Sequence, residues 1–284
     1  MNDSQPTQQD AQPPDRGAGL QLPKPRKIPV TAVFGWIARA WDDMGGTGFR
    51  GVFYGGVFAM MGLLITVVYA THWQLTMGLT AGFFLVGPFL CTGIYELSRQ
   101  RERGERADLF ATLTCWRRNL GGVAVFAAIV TFAMIVWTRV SIVLFALFST
   151  TDFPTLQSIL GQIISFENLE FLLVWSGVGF IFASLVFAIS VVSMPMMLDR
   201  DADTIEAIAA SAIALWQNPA AMLTWAVLIG LLIGASLVLF LPALAITAPL
   251  VGHTTWKVYK SLVPANYRSI FAVPEEGEKE QRTS

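Results

Sequence analysis

Long uncharged apolar runs alternate along this chain with short charged stretches. Six runs are long enough to cross a bilayer, at roughly 50–70, 75–97, 119–140, 169–197, 220–239 and 242–260. About 20 apolar residues cover a hydrocarbon core. The first two runs are joined by the polar turn "THWQ" at 71–74. Between Ala220 and Trp256 no residue is charged, and Pro242 offers the break. A single helix of that length would reach roughly 55 Å, beyond a core of about 30 Å. Two crossings therefore meet near Pro242, a residue suited to the first turn of a new helix. The pattern predicts an all-α, polytopic membrane fold of six transmembrane helices in three hairpins.

An amphipathic segment ending in Trp precedes each hairpin. The first is "PVTAVFGWIARAWDD", with Val30, Val33, Phe34, Ile37 and Trp41 expected on one face. The second is "DLFATLTCWRRN", with Leu109, Leu113, Trp116 and Leu120. The third is "DTIEAIAASAIALWQNP", with Ile205, Ile208, Ala212, Leu215 and Trp216, opened by Asp203 and Glu206 as a capping box. "WRRN" at 116–119 and "WQNP" at 216–219 lead into the apolar runs alike, and Pro88, Pro195 and Pro249 sit near the inner end of each second crossing. Three copies of one unit are expected, about 29–98, 99–198 and 199–261, each an interfacial helix followed by two crossings. All three have the same orientation, unlike the inverted repeats of many secondary transporters.

Composition agrees, with 54% hydrophobic and 14% charged residues against about 25% charged in a soluble domain. Residues 1–28 and 266–284 are polar and read as disordered cytoplasmic tails flanking a membrane domain at 29–265. No apolar signal segment opens the chain. Arg and Lys cluster before the first crossing, in the loop after the second, at Arg200 and in the C-terminal tail. The opposite loops lack them, save Arg139 near the end of the third run. Both termini are therefore expected on the cytoplasmic side of a bacterial inner membrane.

Candidate chemistry is sparse. There are two histidines and two cysteines, and no phosphate loop, triad, zinc helix or nucleotide fingerprint. His253 stands near the cytoplasmic end of the sixth run, and His72 at the opposite side of the membrane. They cannot share one haem within a chain. His253 is a weak candidate cofactor ligand beside the plainer reading of a polar interfacial residue next to Trp256. Asp199, Asp201 and Asp203 alternate as in a calcium loop, yet Thr204 and Ala210 stand where that loop needs Gly and Glu. Asp199 then reads as part of a solvated helix start, with Arg200 as a local partner. "ELSRQRERGER", which contains Glu96, reads as a topology anchor or a docking loop. Arg139 lies some 20 residues into its helix and can reach the outer interface, with Asp152, Glu167 or Glu170 to pair with. Cys91 and Cys115 are not spaced as a redox or metal pair, and no disulfide is expected.

The hairpin ends "GPFLCTGIYELSRQRERGE", "MPMMLDRDADTIEAIAASAIALWQNPAAMLTW" and "APLVGHTTWKVYKSLV" together resemble bacterial domain-of-unknown-function family 2189, over about 30–265. The resemblance implies an integral inner-membrane protein with no established activity. Some members carry an automatic label of cytochrome c oxidase subunit I. Two histidines on opposite faces cannot build that catalytic subunit, whose metals need about six. The expectation is a non-enzymatic scaffold or accessory subunit without a cofactor. It would bind membrane lipid or other inner-membrane proteins such as respiratory subunits, and no nucleic acid. A transporter for a small or lipid-like solute is the alternative. "GVFYG" at 51–55, with Gly56 and Gly62, would let helices approach closely.

Overall fold

The computed structural model describes residues 25–71, 73–148, 169–200 and 202–265, and every element among them is helical. The helices are α1 (Ala32–Thr47), α2 (Phe49–Thr71), α3 (Trp73–Glu102), α4 (Leu109–Thr114), α5 (Leu120–Phe148), α6 (Leu169–Ser190), α7 (Ser193–Arg200), α8 (Thr204–Gln217), α9 (Pro219–Leu239) and α10 (Leu244–Leu262). A tight 3-10 turn, Cys115–Asn119, joins α4 to α5, and another at Leu241–Ala243 joins α9 to α10. His72, Asp152, Glu167 and Asp201 lie outside the described residues, as do 1–24 and 266–284.

Four stretches are long and apolar enough to cross a membrane: Phe49–Val68, Leu109–Phe148, Leu169–Arg200 and Pro219–Leu239. The expected second and sixth crossings, within α3 and α10, are not among them. α10 carries His253, Thr254, Thr255, Lys257 and Lys260, and most of its surface is buried by protein. A helix packed on several sides by other helices has no need of an apolar exterior. Of the apolar stretches, α2 and α9 pack against it, and large side chains such as Phe132, Phe180, Leu185 and Leu231 face outward.

Glycines set the close contacts at the centre. Gly55 of α2 lies against the backbone of Ala245 in α10. Gly93 of α3 receives the ring of Tyr54 from α2, and Gly252 of α10 receives Ile94 from α3. The "GVFYG" motif is therefore an intramolecular seam, with Gly51 and Gly62 also turned towards α10 and the turn before it. Gly56 meets nothing.

The short amphipathic helices α4 and α8 bury small or polar residues, and all three expose large apolar ones. α1 buries Val33, Trp36, Ala40, Asp43 and Thr47, at helical spacing. The expected single face is thus split: Val33 turns inward with Trp36, while Phe34 is 63% and Trp41 56% exposed. α4 opens on Asp108, whose carboxylate accepts from the amides of Phe110 and Ala111. Asp203 does the same for Ile205 at the start of α8, while Glu206 turns inward and is buried. Phe110 is 80% and Trp216 88% exposed.

Residues 25–28, expected in the N-terminal tail, are built into the fold. The Arg26 amide donates to the Leu262 carbonyl, and the Asn218 side chain bonds both the Ile28 amide and the Arg26 carbonyl. Asn119, in the equivalent turn, donates to the carbonyls of Met197 and Ala202.

α5 and α6 form a two-helix arm. Phe171 meets Phe145 and Phe148, Trp175 meets Trp137, and Trp137 also meets Phe182. α6 contains no buried residue. α5 has 29 residues, a length of about 43 Å at 1.5 Å per residue, whereas a hydrocarbon core is about 30 Å thick. α9, with 21 residues, matches that thickness.

Candidate functional site

The chemistry-bearing residues gather at one end, where α3, α7 and α10 finish beside α1. Arg101 Nε lies 2.9 Å from Asp43 Oδ1, and Lys257 Nζ 2.8 Å from Asp43 Oδ2. Lys257 also lies 2.9 Å from Glu102 Oε1. Lys260 bridges Glu102 at 3.9 Å and Asp199 at 2.9 Å. Arg200 closes on Asp199 at 3.3 Å and donates to Tyr259, and it fastens the C-terminal segment through the carbonyls of Pro264 and Ala265. Four helices that are remote in sequence are thereby clamped by one alternating chain of charges.

Asp199 is the most enclosed member. Lys260 (2.9 Å) and Tyr259 (2.7 Å) donate hydrogen bonds to its carboxylate, and Arg200 stands beside it. Asp199→Asn is expected to lower the melting temperature of the detergent-solubilised protein at neutral pH, because Lys260 and Arg200 lose the charge that they share. An unchanged melting temperature would contradict this account.

Glu96 lies one turn deeper along α3. It receives two hydrogen bonds from Arg99, at 2.8 and 2.9 Å, and Arg118 approaches it at 3.8 Å. Burial opposes the Arg99 charge, and the bonded Glu96 more than compensates, so the guanidinium pKa is raised.

His253 is fully buried, which corrects the expectation of an interfacial residue. Its Nδ1 stands 2.6 Å from Ser98 Oγ. Nε2 has no hydrogen-bond partner and faces α2 at Gly51, where an added Cβ would come within 3.6 Å of it. A haem plane on that nitrogen would cut through α2. Among the described residues no cluster of three or more His, Cys, Asp and Glu could hold a metal ion. Cys91 and Cys115 are free thiols, Cys115 contacting Thr92 and the Thr112 carbonyl.

Arg139 and Glu170 do not meet. Both are exposed, with no ion pair between them. Glu170 lies beside Phe171, which packs at the level of Phe145 and Phe148, whereas Arg139 lies near Ser141, which accepts from Trp175. The offset along the arm is roughly 10 Å. The sequence reading missed Asp43, Ser98, Lys257 and Tyr259. Asp43 had a signal, since it shares the helical face of Trp36 and Ala40.

A family model described as "Predicted integral membrane protein (DUF2189)" matches residues 75–199. The match runs from α3 through the arm to Asp199, and so carries Glu96, Arg99, Glu102 and both ends of the α5–α6 pair. The resemblance expected over about 30–265 is shown for that stretch, and the chain is an integral membrane protein with several apolar helices. No curated protein and no solved structure matches the chain.

Proposed function

We propose that this is a six-crossing protein of the bacterial inner membrane, both termini cytoplasmic, acting as a non-enzymatic scaffold or accessory subunit that binds other membrane proteins or lipid. The observation that carries the reading is the α5–α6 arm. α5 packs on α3 and α6 on α8, but α6 buries no residue, and Phe180, Ile181 and Leu185 all face outward. Such a two-helix arm is a surface on which another membrane helix can pack. The cap, by contrast, is chemically committed. Asp43, Glu96, Glu102 and Asp199 each hold a cation, and His253 Nδ1 is taken by Ser98.

Six crossings are supported by the packing of α3 and α10 along the apolar helices and by the 19 residues of α10, about 28 Å of helix. Three like units are supported by a cyclic pattern: α4 lies on α3, α8 on α6 and α7, and α1 on α10. The orientation follows from the concentration of Arg and Lys at the capped end.

The test is purification from native membranes in mild detergent, with a visible spectrum and mass spectrometry of what accompanies the chain. A photo-crosslinking residue at Phe180 is expected to capture the same partner subunit that co-purifies in stoichiometric amount, whereas one at Trp216 should not. Respiratory subunits with their haem bands would name the complex. A colourless chain with no stoichiometric partner would overturn the scaffold reading.

A further inference from the structure

The second interfacial segment combines a satisfied inner side and an apolar outer side, as the other two do, with two adjacent arginines, which they lack. Its inner side is polar and satisfied by protein: Thr112 accepts from the Tyr54 hydroxyl at 2.7 Å, and Cys115 contacts Thr92. Its outer side is apolar, with Phe110, Leu113 and Leu120 exposed. Two arginines stand at the edge of that apolar side. Arg117 lies over the Trp116 ring, 5.5 Å from its centroid, and the ring is fixed by its N–H bond to the Leu113 carbonyl and by edge contact with Phe89. Arg118 shares Glu96, at 3.8 Å, with Arg99, which already bonds that carboxylate twice, so the exposed guanidinium groups of Arg117 and Arg118 together carry an excess of positive charge.

A soluble surface would turn the polar side outward. Here an outward apolar side carries a fixed indole and two adjacent cations at the depth where the apolar part of α5 begins. That combination fits the boundary between acyl chains and phosphates. The corresponding turn of the third segment reads Trp216-Gln217-Asn218: a bridging Asn again, and a Trp that is exposed where Trp116 is half-buried, with no cation.

We infer that Trp116, Arg117 and Arg118 form a binding site for the phosphate of an anionic phospholipid, with the acyl chains running along Phe110 and Leu120. The third unit meets the membrane by apolar contact alone. This rests on the membrane reading above and names the lipid class that the scaffold holds at its cytoplasmic rim. Arg–phosphate recognition supplies directional bonds, and each cation at a membrane surface attracts anionic lipid by an amount equivalent to several-fold in affinity.

The test uses the purified full chain and native mass spectrometry with added phosphatidylglycerol or phosphatidylcholine. The protein is expected to retain phosphatidylglycerol preferentially, and R117Q/R118Q to weaken that retention by on the order of 10-fold with phosphatidylcholine unchanged. R117K/R118K should keep most of it, and it decides the question if the glutamine variant unfolds. Inorganic phosphate should not compete, because the site is half apolar. Equal retention of the two lipids, or equal retention by wild type and R117Q/R118Q, would overturn the site. So would efficient competition by free phosphate. Partner capture at Phe180 does not depend on this result, so loss of the lipid site leaves the scaffold reading standing.

Discussion

Gly55→Ala is expected to destabilise the folded protein more than any other single methyl group added along α2. A Cβ at Gly55 collides with the backbone of Ala245 in α10, and backbone cannot swing aside as a side chain does. The two helices must separate, which disturbs the neighbouring fits of Tyr54 against Gly93 and Ile94 against Gly252. Overpacking a tight core costs roughly 1–3 kcal/mol, and a backbone collision belongs at the top of that range. Gly56→Ala is the matched control. Nothing lies near that position, and alanine is the better helix former by about 1 kcal/mol. Thermal melts in detergent should therefore move in opposite directions, with Gly55→Ala several degrees down and Gly56→Ala level or slightly up. Equal behaviour of the two variants would mean that α2 and α10 are not in contact at Gly55.

That seam was legible in the sequence, though its partner was not. "GVFYG" at 51–55 announced a close helix approach, and only the fold could say that the approaching helix is the last one in the same chain. The aspartate cap at Asp203 was legible for a similar reason, because capping is local. The cap network was not. Asp43, Glu102, Asp199 and Lys257 are each separated by dozens of residues, and charge patterns read along one helix carry no information about the helix that will lie beside it. His253 was misplaced for a related reason. Its neighbours Trp256 and Lys257 suggested an interface. The run Gly252, His253, Thr254, Thr255, with small or polar residues on every side, is the mark of a helix enclosed by protein rather than by lipid.

"ELSRQRERGER" was read as one block, a topology anchor or a docking loop, whereas its two halves differ in the fold. On a helix, Glu96, Arg99 and Gln100 fall on one side, and the structure buries all three. Arg103 and Arg106 remain exposed. Burial runs unbroken from Thr92 to Gln100 and stops where α3 ends, so position along the helix separated structural charges from solvated ones.

Glu96→Gln is expected to be the most destabilising change among the charged residues, and its pattern of rescue separates a structural pair from a functional acid. Arg99 has a side chain 8% exposed, and its two side-chain hydrogen bonds both go to Glu96. Removing the carboxylate charge leaves a guanidinium inside the protein with Arg118 as the nearest cation. Breaking one side of a buried pair costs on the order of 3–5 kcal/mol, because the remaining charge keeps its desolvation penalty and loses its compensation. Replacing both members with apolar residues of similar size removes that penalty and is often close to neutral. Glu96→Gln alone should therefore lower the melting temperature sharply, whereas the double variant Glu96→Leu with Arg99→Met should recover most of the loss. If the double variant also keeps the stoichiometric partner of native membranes, Glu96 serves to hold α3 and has no chemistry of its own. Recovery of stability with loss of that partner would instead make Glu96 part of the working surface. Failure of the double variant to recover would mean that the site needs the charges themselves.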